Sequence, residues 1–344
     1  MLKRIKLEPR IIGFFLPALV VLVLGTAQAE FPKTLRTIAL EKYALSAKPS
    51  DEKDFATLAA FLTSKAKGDK EKAWCIYRWV TDRISYNVEA LLTKMPGENS
   101  AESVFKSRVC VCEGYSRLFL KLCSEAGLET VKVVGIARSG SKDDKGVPSI
   151  ESHAWNAIKL DGKWEFVDST WGSGSVDKKA FVKNFDPQFF MIPPEQIRFT
   201  HFPEDSKWQL IEQTITKEEF DKQPLLRPGF FKLGFTAANL SKAAKNPSFA
   251  GFPELFEVAG TKIKVIDAPL NVKLKAGQVF KVSIESADIS KVVVLVNEKP
   301  ILYIPRQGAI FTSLVKPPVG SLLIAVEKSN EKNQFSYLLK YRVE

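Results

Sequence analysis

Apolar positions recur at helical spacing in three stretches of the first half of the chain. Phe55, Leu58, Ala59 and Leu62 follow a helix start at Ser50-Asp51-Glu52-Lys53. Ala73, Ile76, Tyr77, Val80 and Ile84 fall at i, i+3, i+4, i+7 and i+11, and Tyr115, Leu118, Phe119, Leu122 and Ala126 repeat that spacing. Each stretch predicts an amphipathic helix; the third begins at Cys112 and closes at Gly127, a residue suited to the left-handed position after a helix. The stretch from Met95 to Ala101, with its Pro, Gly, Asn and Ser, reads as a loop. After Gly127 the period drops to two: Val131, Val133, Val134 and Ile136 predict a strand over 130–138, followed by a polar loop from Ser139 to Pro148. Two further strands flank Asp161-Gly162, the strongest short hairpin signal in the chain. Helix followed by three strands in sequence predicts an α+β class for this region.

Beyond Gln223-Pro224 the pattern changes. Short apolar runs at 263–266, 270–274, 280–284, 292–296, 302–304, 322–326 and 335–343 are separated by Gly, Pro and Asn. That spacing predicts an all-β sandwich over residues 225–344, Ig-like by its pattern.

Residues 1–29 stand apart. Lys3, Arg4, Lys6 and Arg10 precede an apolar run from Ile11 to Leu24, and Ala27-Gln28-Ala29 supplies small residues for cleavage before Glu30. The run is shorter than the ~18–20 residues of a membrane span and contains Pro17, so a cleaved signal peptide is favoured over a retained anchor. The reading is therefore a secreted or periplasmic protein with no stable membrane span after cleavage.

The full chain carries 50 Lys and Arg against 39 Asp and Glu; removing the leader's four basic and one acidic residue leaves a net charge of +8. The lysines are scattered and not interleaved with aromatics in one tract, which argues against nucleic acid and allows an anionic cell-surface or cell-wall partner. Four cysteines, at 75, 110, 112 and 123, are too few for a disulfide scaffold, and Cys-x-Cys without a second ligand pair is weak as a zinc site. Cys75 and Cys123 read as packing residues on helix faces. No EF-hand loop is present, so neither metal nor cofactor is expected.

Only two histidines are available, His153 and His201. If Asp161 and Gly162 are the turn residues, opposed positions sum to 323. Trp155 then faces Asp168 and His153 faces Thr170, so His153 and Asp168 are diagonal neighbours on one face with Ala157, Trp164 and Phe166. An ionised Asp on a packed face needs a partner, and a diagonal imidazole supplies one. Cys112, at a helix N-terminus, has the position that best favours a thiolate. A Cys–His–Asp set with thiol, base and orienter follows. Cys110 is the rival thiol, with burial or a disulfide as its bland alternative. His201, in Phe-Thr-His-Phe-Pro, is the rival base, expected in a loop without a carboxylate partner.

Val111-Cys112-Glu113-Gly114-Tyr115-Ser116, His153-Ala154-Trp155-Asn156 and Val167-Asp168-Ser169-Thr170-Trp171-Gly172 resemble, in order and spacing, the three blocks of the transglutaminase-like superfamily. With Tyr77-Arg78-Trp79-Val80, Ile84-Ser85-Tyr86-Asn87 and the Phe189-to-Leu210 stretch they resemble its kyphoscoliosis-peptidase branch more narrowly. The resemblance covers about residues 50–225 and implies a papain-like catalytic domain, set at 30–224, with Cys112 as nucleophile, His153 as base and acid, and Asp168 as orienter. It implies attack on a protein or peptide amide to give a thioester that water or an amine resolves, as a cysteine peptidase or a protein-glutamine acyltransferase. The oxyanion hole would use the Cys112 amide, with Tyr86 a candidate second donor. Where relatives often carry Gly two residues before the nucleophile this chain has Cys110, and Asn87 stands where Asp is frequent. The alternative is a non-catalytic scaffold or adhesion protein that binds through the β-domain.

Overall fold

The computed structural model describes residues 34–142, 148–177, 179–226, 229–258, 260–331 and 334–344. The leader reading falls outside them. Among the described residues no helix is long and apolar enough to cross a membrane.

The first region opens with helices α1 (Leu35–Leu45), α2 (Phe55–Thr63) and α3 (Asp69–Arg83). α2 starts at Phe55 and not in the 50–53 segment, because the Asp54 carboxylate accepts the Thr57 amide at 2.7 Å and takes the cap. The short strand β1 (Ser85–Tyr86) leads to α4 (Val88–Thr93) and α5 (Ala101–Ser107). β2 (Val109–Cys110) then runs directly into α6 (Cys112–Glu125). Leu58, Leu62, Ala73, Ile76, Tyr77, Val80, Tyr115, Leu118, Phe119 and Leu122, the positions that set the helical period, lie fully buried in one core.

That core packs on a five-stranded antiparallel sheet ordered β8 (Phe190–Ile192), β5 (Lys163–Val167), β4 (Pro148–Leu160), β3 (Thr130–Lys142), β9 (His201–Pro203). The β4–β5 hairpin has the expected register, with Leu160 opposite Lys163 and Asn156 opposite Val167, and Asp161 and Gly162 both take positive φ. The strands β3 and β4 run into the segment expected as a polar loop, to Lys142 and from Pro148, because their backbone pairing continues past a bulge. The rest of that loop lies outside the described residues. Between β5 and β8 come α7 (Ser169–Ser173), the small hairpin β6 (Gly174–Asp177) and β7 (Ala180–Lys183); α8 (Pro194–Ile197) and α9 (Lys217–Lys222) follow later.

Residues 225–344 begin with two short helices, α10 (Gly229–Lys232) and α11 (Ala237–Ala244), and β10 (Glu254–Leu255). The strands that follow are β11 (Lys264–Asp267), β12 (Lys273–Leu274), β13 (Phe280–Glu285), β14 (Ile289–Val296) and β15 (Lys299–Ile304), then β16 (Arg306–Gln307), β17 (Ile310–Val315), β18 (Gly320–Lys328) and β19 (Phe335–Val343). One sheet is ordered β11-β13-β17-β16 and the other β10-β19-β18-β14-β15, with β12 parallel to β19. Their facing side chains, Val282, Ile284 and Phe311 from one sheet and Val292, Val294 and Ile324 from the other, form one core. Phe199, Leu226, Phe230, Leu233 and Leu240 join it. β17 escaped the sequence pattern because Thr312 and Ser313 interrupt its apolar run; Phe311 and Val315 are buried while Leu314 is exposed.

Candidate active site

The segment entering α6 is held from three directions. β1 and β2 pair in parallel, Tyr86 beside Cys110, and the Asn87 amide donates to the Cys110 carbonyl at 2.9 Å. The buried Asn99, from the loop before α5, accepts the Val111 amide at 3.2 Å and anchors itself on the Pro96 carbonyl at 2.8 Å. Gly114 lies so close to this entry that a Cβ there would meet Cys110 Cβ at 2.5 Å and Val104 Cγ2 at 2.8 Å. Glycine is therefore required by a close approach, with no unusual φ involved. The result is a helix whose first residue is Cys112, where free amides and the helix dipole favour negative charge.

α6 is then fastened to the sheet by the block that carries His153. The Ser116 hydroxyl donates to the Trp155 carbonyl at 3.1 Å, and the fully buried Asn156 returns a bond from Nδ2 to the Ser116 carbonyl at 3.1 Å. These two bonds fix α6, and with it Cys112, against β4. There Cys112 acts electrostatically on His153 and helps to keep the imidazole charged.

His153 Nε2 lies 2.8 Å from Asp168 Oδ2, which leaves Nδ1 for the thiol. The expected diagonal pair is present, but not by continuing the strand: β5 ends at Val167, so His153 has no partner at Thr170. Asp168 is the N-cap of α7, and its Oδ1 accepts the Thr170 and Trp171 amides at 2.9 and 3.0 Å. The helix turns there because Asp168 satisfies two of its free amides, which also locks the carboxylate. Gly172 in the same turn sits against the Tyr77 hydroxyl and has no room for a Cβ.

Asp168 is fully buried. Burial opposes its ionisation, but the charge and hydrogen bond of His153 and the bond from His201 outweigh that and hold the carboxyl well below its usual range. Burial likewise opposes a charged His153, yet the Asp168 charge and hydrogen bond, aided by Cys112, push its pKa up to about 10. An imidazolium locked to a buried carboxylate and stabilised by a partly exposed thiol is the electrostatic arrangement. The negative charge of Glu113, beside Cys112, is balanced by Lys132 and Arg117 at 2.5 Å each. Tyr86 approaches Cys112 closely enough that burial and then the Cys112 charge push its phenol up, keeping it a hydrogen-bond donor.

All four cysteines are free. Cys110 is buried, and burial together with the neighbouring Cys112 pushes its thiol up, so it is the less reactive of the pair. Cys75 and Cys123 are fully buried on α3 and α6.

His201 differs from expectation. It lies in strand β9, buried, with Nε2 3.1 Å from the same Oδ2 of Asp168 that His153 contacts. Its carboxylate partner lies 33 residues away and is brought to it by β9 pairing with β3, Ala137 opposite His201. No local pattern encodes that, although a Thr-His-Phe step bounded by Pro203 could have been read as a short edge strand. Asn99 was missed for the same reason. His153, Asp168 and His201 bring one donor atom each within 4.8 Å. Oδ2 already accepts from both rings, so a cation there would displace both protons and compete with the His153–Asp168 pair.

Residues 56–169, which contain Cys112, His153 and Asp168, match the model of the transglutaminase-like superfamily. This chain carries a transglutaminase-like domain. Its transglutaminase-like segment is 30% identical over 185 residues to kyphoscoliosis peptidase of Mus musculus, covering 53% of this chain and 28% of that protein. It is 29% identical over 215 residues to hillarin of Drosophila melanogaster, covering 58% and 26% respectively. The Lim and transglutaminase domain protein ltd-1 of Caenorhabditis elegans is 29% identical over 210 residues, covering 56% and 28%. The chain thus spans about a quarter of the length of these relatives. What it shares with them is the transglutaminase-like region.

Proposed function

We propose that the chain is an exported thiol enzyme that attacks protein or peptide amide carbonyls. The observation carrying this reading is the 2.8 Å bond from His153 to the buried Asp168, with the partly exposed Cys112 at the start of α6 acting on the same imidazole. The Cys112 sulfur bonds to the carbonyl carbon and the carbonyl π electrons move to oxygen. The oxyanion is met by the Cys112 backbone amide and, in this reading, by the Tyr86 hydroxyl. When the tetrahedral intermediate collapses, His153 Nδ1 gives its proton to the departing amine and a Cys112 thioester remains. Water or a second amine then attacks the thioester, losing its proton to His153 and releasing the thiolate. Asp168 keeps its charge throughout and fixes the ring by its bond to Nε2.

Hydrolysis and crosslinking differ only in the second acceptor, so the enzyme reading covers peptidase and acyltransferase alike; one relative is a peptidase by name. We assign the catalytic unit to 30–224 and the β unit to 225–344, after a signal peptide at 1–29. The two sheets, β11-β13-β17-β16 and β15-β14-β18-β19 with β12 parallel to β19, support an Ig-like assignment, since four strands in A-B-E-D order face a C-F-G set. Partner binding at a cell surface is the role we assign to that unit.

The test incubates wild type and Cys112→Ala with a mixture of cell-surface proteins and reads the products by mass spectrometry. New protein termini report hydrolysis and new isopeptides report transfer. Products that need Cys112 support the enzyme. Equal products from both proteins would sink it and leave the non-catalytic scaffold.

A further inference from the structure

We propose that His201 is a positioning residue of the thiol centre, a second imidazole on Asp168 that holds the carboxylate where His153 needs it. This rests on the thiol-enzyme reading above. Four donors converge on Asp168: the Thr170 and Trp171 amides on Oδ1, and His153 and His201 on Oδ2, at 2.8 and 3.1 Å. The amides fix one oxygen. Without His201 the other oxygen is held by His153 alone, so the carboxylate depends for its orientation on the ring it is meant to orient.

The position is built. Gly135 on β3 has no room for a Cβ, which would meet Pro203 Cα at 2.8 Å and Trp155 Cη2 at 2.9 Å, so β9 can lie close enough for His201 to reach Asp168. The ring is wedged between Trp171, 4.6 Å away, and Trp155, 5.0 Å away. Its protonation is coupled to Thr200, whose Oγ1 lies 2.8 Å from His201 Nδ1 and 3.1 Å from the Ile197 carbonyl. That hydroxyl has one proton. Given to Nδ1, it leaves His201 neutral with Nε2–H donating to Asp168; given to Ile197, it requires a cationic ring. Burial lowers the pKa of His201 and favours the neutral form, against the opposing pull of Asp168. The charged groups around the ring are Asp168 and His153, with Arg198 bordering the small cavity behind it. Arg138 on β3 turns its guanidinium to the carbonyls of Phe199, Phe220 and Gln223. In that form His201 contributes one neutral N–H to Asp168.

The experiment uses the full chain and follows iodoacetamide alkylation of Cys112 by mass spectrometry between pH 4.5 and 9, with a thermal melt to confirm folding. His201→Phe keeps a ring and removes the donor; His201→Gln keeps a donor near the Nε2 position. We expect His201→Phe to raise the midpoint of the acidic limb by about one pH unit, roughly a tenfold loss of reactive thiolate below it. His201→Gln should return the profile to within about a factor of two of wild type. Thr200→Val, a milder change should His201→Phe fail to fold, should shift the limb in the same direction by about two- to threefold in rate, an order-of-magnitude expectation for losing one neutral hydrogen bond. A His201→Phe or, failing that, Thr200→Val profile that overlays wild type would overturn the proposal, as would His201→Gln shifting as far as His201→Phe. If wild type itself shows no acidic-pH reactivity, the thiol-enzyme reading fails and takes this proposal with it.

Discussion

The two halves of the molecule bury different things. In the β region the core is aliphatic and aromatic, and among its described residues only Ser283, Ser286 and Glu327 are buried polar groups. The transglutaminase-like region buries Asn99, Ser116, His153, Asn156, Asp168, Thr170, Thr200 and His201, nearly all in one connected network around the α6 N-terminus. Buried polar groups cost stability unless each is paired. A region that keeps so many of them, most tied to a neighbour while Asn156 Oδ1 and Thr170 Oγ1 find no partner, is spending that cost on geometry, whereas the β region has nothing comparable to position.

Changes in the network should therefore alter chemistry far more than stability, and changes in the β core the reverse. The largest expected effect is on turnover: Asp168→Asn should lower it by roughly 10³–10⁴-fold on any amide substrate, by analogy with loss of the orienting carboxylate in other triads. Steady-state rates check this, and a fall of less than tenfold would detach Asp168 from the mechanism. Next, Ile324→Ala, in the fully buried sheet core, should cost about 2–5 kcal/mol in urea unfolding while the alkylation rate of Cys112 stays within twofold of wild type below the transition. If that rate falls in step with stability, the two regions are not separable in the way their cores suggest.

Gly114→Ala tests the contact between the α6 entry and Cys110. The added methyl has to displace Cys110 and Val104, at an expected cost of about 1–3 kcal/mol, and it should slow Cys112 alkylation by shifting the first helical turn. An unchanged melt with unchanged alkylation would mean that the entry is not tightly held. The last effect is on pH. His153 is raised to about 10 from an ordinary value of 6.5, so its protonation stabilises the fold. That contribution is complete below pH 6.5 and is lost as pH rises towards 10. The stability gap between wild type and His153→Ala should be widest at pH 6 and narrow by pH 10, measured by urea unfolding at both. A gap that widens with pH would reverse the sign.

What the sequence made legible follows the same division. The α3 and α6 periodicities and the Asp161-Gly162 turn are local signals, and they suffice to put Cys112 at a helix start and His153 one diagonal from Asp168. The strand reading of Asp168 was still incorrect in detail: the Asp-Ser-Thr step is a helix cap, and capping holds the carboxylate better than a strand would. Strand β17 was hidden by Thr312 and Ser313, because its pairing with β13 is made by backbone groups that carry no sequence signature. His201 and Asn99 were out of reach for a different reason. Each acts on a partner brought to it only by the assembled sheet or loop, and a residue whose role is to hold another residue leaves no period of its own.

The most direct measurement is the pH profile of Cys112 alkylation by iodoacetamide in the wild-type chain. With the His153 imidazolium held by Asp168, the rate at pH 6 should be at least half that at pH 9, and the three buried cysteines should stay unlabelled. A rate that climbs about tenfold per pH unit up to the ~8.5 of an ordinary thiol would contradict the account.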